Sequence, residues 1–293
     1  MEKAKKKKLV SLQREEIFSD DICFEIISMI DNSWFILNNC SLISKQFFNV
    51  IKERSKLFIK FKKKFTEKRI KLFMKSQFMN SIVNVKFSKR LFDSIEKPTF
   101  ITEMKQLTSL DISNNRIGYV TAESIISEMK QLTSFNISGN SIDDETAKSI
   151  TEMKQLTSLD ISNNGIGDET AESIISEMKQ LTSFNIGGNI IGDEGAKSIS
   201  EMKQLTSLSV NNSGIGVAGA KFISEMKQLT LLDIGENSSG VAGAKFISEM
   251  KQLTSLNIGG NSVGVEGIKY ISEMKQLTSL TIYNSGIIEI NTT

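Results

Sequence analysis

The hexapeptide Glu-Met-Lys-Gln-Leu-Thr begins at Glu103, Glu128, Glu152, Glu177, Glu201, Glu225, Glu249 and Glu273, so one short unit recurs eight times. A period of this length is the mark of stacked repeats, and it constrains the fold more than any single residue does. The steps between copies are 25, 24, 25, 24, 24, 24 and 24 residues, and both longer steps come from a doubled isoleucine, Ile125-Ile126 and Ile174-Ile175. A unit this short cannot enclose a core of its own. It buries its apolar face only by stacking on its neighbours.

Two periodicities alternate within each unit. Leu110-Asp111-Ile112 in the first copy and Leu159-Asp160-Ile161 in the third put aliphatic residues on one side and a polar residue on the other, as a strand does. Asn115 then stands where the chain leaves the strand, and its amide can bond the backbone of neighbouring turns. Asn140, Asn164, Asn189, Asn237 and Asn261 repeat it as an expected ladder, which Ser213 and Ser285 interrupt. The rest of the unit, such as Ala147, Ile150 and Met153, has helical spacing and leads into Leu156, which opens the next strand. The expected fold is an α/β solenoid with a parallel concave sheet of nine strands and helices on the convex side.

The spacing of Leu107, Leu110, Ile112, Asn115 and Ile117, repeated by Leu156, Leu159, Ile161, Asn164 and Ile166, resembles the leucine-rich-repeat family and its horseshoe. The pairs Gly195-Ala196 and Gly219-Ala220, in a unit long enough for a full helix, resemble the GALA-type, ribonuclease-inhibitor-like variety. Gly195, Gly219, Gly243 and Gly267 fit a place where helix and strand backbones approach closely, although Thr121, Thr146 and Thr170 stand there in earlier copies. One step before the first full copy, Ile82, Val85 and Phe87 repeat the apolar pattern in weakened form. Residues 78–102 therefore read as a degenerate capping repeat ahead of eight repeats over 103–293.

Charge divides the chain into regions suited to different partners. Residues 1–100 hold 22 Lys and Arg against 11 Asp and Glu, whereas residues 101–293 hold 14 against 23. Residues 1–15 read as a basic flexible tail and 61–77 as a basic linker helix. Between them, Ser19 can open a helix with Asp20 and Asp21 in its first turn, and a second helix covers Leu42 to Ile51. Ile22, Cys23, Phe24, Ile26, Ile27 and Ile30 spread around too much of the first helix for one buried stripe, as suits a unit that buries part of itself on a partner.

This stretch, residues 16–60, resembles an F-box in Phe18-Ser19-Asp20-Asp21-Ile22 and in Ser41-Leu42-Ile43-Ser44-Lys45-Gln46-Phe47, with Ser19 where the family usually has proline. The resemblance implies a small all-α F-box-like domain preceding the repeats. It would dock on the Skp-type adaptor subunit of an SCF-type (cullin-RING) ubiquitin ligase through Phe18, Ile22, Ile26, Leu42, Ile43, Phe47 and Ile51, while the repeats hold a protein substrate. The alternative is a non-enzymatic interaction scaffold with no ubiquitin role, whose N-terminal helices only cap the core.

The chain has no histidine, which removes imidazole bases, Ser-His-Asp and Cys-His nucleophile systems and His-containing zinc sites. Its two cysteines, Cys23 and Cys40, suit a reducing compartment, and no apolar run reaches membrane-spanning length. The expectation is a cytoplasmic or nuclear protein that is not an enzyme, with no catalytic residue, metal, cofactor, small-molecule ligand or membrane partner. The lysines at 3 and 5–8 and the stretch Lys60-Phe61-Lys62-Lys63-Lys64-Phe65 could face nucleic acid, but a solubilising tail and core contacts account for them more simply. The acidic turns Asp143-Asp144-Glu145, Asp168-Glu169 and Asp193-Glu194 read as solvated loops, because later copies carry Val217-Ala218 and Val241-Ala242 instead. The candidate partner surface is the concave face, where Asp111, Asn136, Asp160, Asn185, Ser209, Asp233 and Asn257 vary while the hexapeptide does not, with Tyr283 as its only expected aromatic. That variation fits recognition and freedom from packing equally well.

Overall fold

The computed structural model describes residues 57–61, 82–87 and 99–283, together with Asn49. One sheet contains β1 (Leu57–Phe61), β2 (Ile82–Phe87), β3 (Ser109–Asp111), β4 (Ser134–Asn136), β5 (Ser158–Asp160), β6 (Ser183–Asn185), β7 (Ser207–Ser209), β8 (Leu231–Asp233), β9 (Ser255–Asn257) and β10 (Ser279–Thr281). Every neighbouring pair is parallel and the spatial order is the chain order. Between successive strands from β3 onward the chain returns through α1 (Gly118–Glu128), α2 (Asp144–Ser149), α3 (Asp168–Glu177), α4 (Gly192–Ser200), α5 (Val217–Ser224), α6 (Gly240–Ser248) and α7 (Gly264–Ser272). Returns of this kind cover the inward side of the parallel strands with helices.

The sheet has ten strands where the repeat count predicts nine. The additional one, β1, corrects the assignment of residues 57–60 to a helical domain and of Phe61 to a linker helix. Leu57 and Ile59 are buried while Phe58 and Lys60 face outward, and this period-two pattern of aliphatic and aromatic residues suits an extended chain. Its outward lysine merges with the following Lys62-Lys63-Lys64, which disguises the alternation. Strand β2 sits in the expected register, with Val85 opposite Leu110 and Lys86 opposite Asp111, but it is flanked on both sides and does not end the sheet. The remaining residues of the 16–60 stretch, apart from Asn49, and of the 61–77 segment lie outside the described residues. So do the proposed adaptor contacts Phe18, Ile22, Ile26, Leu42, Ile43, Phe47 and Ile51, and Ser285.

The uniformity of the hexapeptide has a structural cause, since most of its side chains meet an adjacent repeat or the core. The methionine and leucine are buried in all eight copies except Leu277, which packs partly buried against the core. Each threonine hydroxyl donates to a carbonyl one strand back, from Thr108 to Val83 and then from Thr133 to Thr108 through Thr278 to Thr254, at 3.1–3.3 Å. Lys105, Lys130, Lys154 and Lys179 each pair with the glutamate of the next copy, although these exposed pairs contribute little stability individually. The amides of Gln228, Gln252 and Gln276 donate to the carbonyls of Met202, Met226 and Met250. Gln131 and Gln180 find no acceptor for the same amide, and both follow a unit with a doubled isoleucine. There the helix has 11 or 10 residues instead of six to nine, and both isoleucines are buried.

The asparagine ladder forms as the sequence predicts. Asn140 donates to the carbonyls of Ile137 (2.9 Å) and Ser138 (3.2 Å) in its own turn and Ile112 (3.0 Å) in the preceding one. Its Oδ1 accepts from the backbone N–H of Asn115 at 3.0 Å. Asn164, Asn189, Asn237 and Asn261 make equivalent donations to the preceding turn, and all five are buried. Ser213 only donates its hydroxyl to Asn211 at 3.1 Å, so the seam between residues 189 and 213 lacks both the side-chain acceptor and the amide donor of its neighbours. Ser213→Asn is expected to stabilise the array and Asn164→Ser to destabilise it by about 1–3 kcal/mol, the range for an unmet buried group. Amide exchange should be faster at 205–216 than at 156–167; equal protection together with a neutral Ser213→Asn would refute this account.

The glycines of the Gly-Ala pairs have a different reason from the one expected. A Cβ on Gly219 would come within 2.9 Å of Ile215 and 3.1 Å of Ala196 on the preceding helix. The tight approach is thus between the helix, the turn that opens it and the neighbouring helix, with no strand backbone involved.

Candidate functional site: the concave face

Strand alternation turns every second side chain toward the concave side. Three columns cross the sheet there. The middle one holds Asp111, Asn136, Asp160, Asn185, Ser209, Asp233, Asn257 and Thr281, aligned by the strand register. Its variation is restricted. The Oδ1 atoms of Asp111, Asn136, Asp160, Asn185, Asp233 and Asn257 each accept the backbone N–H two residues on, at 3.0–3.1 Å, and so close the turn out of the strand. Aspartate and asparagine serve equally because only a carbonyl-type oxygen is needed. At Ser209 the polarity reverses, and its hydroxyl donates to Asn211 at 3.4 Å.

The other two columns were less legible in the sequence. One is a file of serines, Ser109, Ser134, Ser158, Ser183, Ser207, Ser255 and Ser279, broken only by Leu231, which is 43% exposed. The same file begins with Phe58 on β1, also exposed, and Asn84 on β2, so Tyr283 is not the only aromatic on this face. Phe58, Lys86, Asp111, Asn136 and Asp160 border a shallow hollow of about 350 Å³ over the first strands, in which Lys86 pairs with Asp111.

The third column holds Ser113, Ser138, Ser162, Gly187, Asn211, Gly235, Gly259 and Tyr283, and its two large residues each lie over a glycine. The Tyr283 ring lies over Gly259, where a Cβ would come within 2.3 Å of it, and Asn211 covers Gly187 in the same way. Hydrogen bonding to Glu236, helped by burial and by the Glu236 and Asp233 charges, holds the Tyr283 phenol above its ordinary range. Glu236→Gln is therefore expected to lower the Tyr283 phenol pKa, measured by NMR titration of labelled tyrosine. An unchanged titration would show that this contact does not persist in solution.

The acidic turns are not merely solvated. Asp143 caps α2 by accepting the Thr146 N–H at 2.9 Å. Asp144 accepts Gly167 N–H in the next repeat at 3.1 Å, and Asp193 accepts Gly216 and Gly219 N–H at 2.7 and 2.9 Å, capping α5 from outside its own unit. Val217, Val241 and Val265, which occupy the aligned positions in the later repeats, leave this function unfilled and are exposed.

A family model described as "Leucine rich repeat" matches residues 91–166, and a second of the same description matches 179–200 and 251–272. No curated protein matches the chain. Among solved structures, the plant peptide hormone receptor RGFR1 in complex with RGF2 is 17% identical, with a TM-score of 0.43, over 70% of this chain. This chain spans only 32% of that receptor's length. The internalin inlF of Listeria monocytogenes str. 4b F2365 is 15% identical, with a TM-score of 0.45, over 86% of this chain and 90% of its own. The matched repeats, their common register and the buried asparagine ladder lead to one conclusion: the array over residues 91–166, 179–200 and 251–272 is built of leucine-rich repeats.

Proposed function

We propose that the chain is a substrate-recruiting adaptor of an SCF-type ubiquitin ligase, in which the F-box-like stretch docks on a Skp-type subunit and the concave face holds a protein substrate. Its contribution to the reaction would be proximity, with the chemistry supplied by the other subunits. The substrate-binding part is carried by the concave face: ten strands, about 4.8 Å apart, align short polar side chains along an arc of about 43 Å, broad enough for a polypeptide. The docking part is supported by the sequence from Phe18 to Ile51, which ends a few residues before the first strand. The GALA-type reading belongs with this proposal and is supported by the Gly-Ala pairs and by the helix in each unit.

A second reading is an interaction scaffold without a ubiquitin role. It is favoured by β1, since the last residues of the F-box-like stretch, 57–60, belong to the sheet, as they would if that stretch served only to cap the core. A pulldown with a purified Skp-type adaptor separates the two. Stable capture supports the first reading, and none at micromolar concentration supports the second.

A further inference from the structure

The repeat that contains β8 departs from its neighbours in two residues at the concave face, and both departures work against stability. Leu231 replaces the serine of its file and leaves a large aliphatic side chain 43% exposed. Glu236 occupies a left-handed position, φ 52°, where the other units place Asn114, Gly139, Asn163, Gly188, Asn212 and Gly260. Glycine and asparagine tolerate that conformation; glutamate is strained in it. Tyr283 reaches back across Gly259 toward Glu236, where a phenol-to-carboxylate hydrogen bond raises the phenol's pKa.

Leu231, Glu236 and Tyr283 meet around Asp233. Its Oδ1 is engaged by the Gly235 N–H and by Asn257 Nδ2 at 2.9 Å. Among the described residues, neither Asp233 nor Glu236 has a basic side chain in ion-pair contact, in contrast to Asp111 with Lys86. The surface therefore offers an aliphatic contact, two unneutralised carboxylates and an aromatic ring within three adjacent strands. Leu231 and Asp233 are alternate residues of β8, about 6.5 Å apart along the strand, which is also the spacing of alternate residues in an extended ligand.

We propose that this patch receives an extended partner segment with Arg or Lys two residues from an aliphatic side chain. The aliphatic residue covers Leu231, and the cation lies between Asp233 and Glu236 against the Tyr283 ring. Partial desolvation at the aromatic ring strengthens such a contact. The inference rests on the reading of the concave face as the partner surface and adds the chemistry of what it binds.

The test uses the full chain, immobilised, and a displayed library of random linear peptides. Enriched sequences should share a basic residue two positions from Leu, Ile or Val, and their affinity should fall with added salt. The variants Leu231→Ser, Asp233→Asn and Glu236→Asn each install a residue that other repeats carry at that place, so folding is preserved and Glu236→Asn should raise the melting temperature. Each should nevertheless weaken the selected peptides by about fivefold or more, a loss that only a minority of interface residues cause. Peptides without a basic residue, binding unchanged in all three variants, or no enrichment at all would each overturn the proposal. Lysine at Ser134 and Ser183 supplies the distinction from the broader reading. If these changes abolish binding that the β8 variants leave intact, the patch is wrong and the concave face stands. If neither set affects binding, both fall.

Discussion

Phe184→Ala should lower the unfolding free energy by about 3–5 kcal/mol and should loosen residues near 156–210 before the rest of the array. The side chain is 1% exposed at the centre of β6, with Leu159 and Leu208 opposite it on the adjacent strands. Phe184 and Phe135 are the only phenylalanines at a position that is leucine in the other copies, and each follows a unit lengthened by a doubled isoleucine. The longer helix and the larger strand residue thus occur together. Truncation leaves a cavity bounded by two neighbouring repeats, and in a stack with nearest-neighbour coupling the loss is local. Urea unfolding with amide exchange read repeat by repeat checks this. A uniform loss of protection from β1 to β10 would show that the array responds as one unit.

Charging either N-terminal helix should abolish adaptor capture while leaving the repeats folded. Asp at both Ile22 and Ile26, or at both Leu42 and Phe47, places two carboxylates in a surface that must be desolvated to dock, and an unpaired buried charge costs several kcal/mol. The expected readout is loss of the Skp-type adaptor from the pulldown, with the circular dichroism and melting of the array unchanged. Full binding by both double variants would remove the F-box reading. Collapse of the repeats with either one would favour the capping scaffold instead.

The parts of the fold legible in the sequence are those that repetition reinforces. Eight copies of one spacing leave little freedom in strand register, so the file of Leu110, Phe135 and Leu159 and the ladder from Asn115 to Asn261 could be placed residue by residue. Strand β1 escaped because it is a single occurrence without the hexapeptide, and its lysine belongs as readily to a charged helix. Asp111 and its equivalents were ambiguous for a different reason: sequence gives the residue type but not that one oxygen is already bonded within its own turn. The departures at Leu231 and Glu236 were present in the aligned copies, and they acquire meaning only when exposure and a left-handed backbone show what each one costs.

The ladders also determine how such a protein can change in size. Each hexapeptide threonine and most ladder asparagines bond to a matching group one unit away, as do Lys105, Lys130, Lys154 and Lys179, so most copies present each other with a similar joint. Removing one whole unit brings a threonine hydroxyl to another threonine carbonyl and an asparagine amide to another turn. A deletion of any other length puts all the ladders out of register at the joint. Gain or loss of a whole unit thus changes stability by that unit and one interface and leaves the other joints intact, while it shortens or lengthens the arc by about 4.8 Å, which makes reach a heritable trait that can vary within one fold.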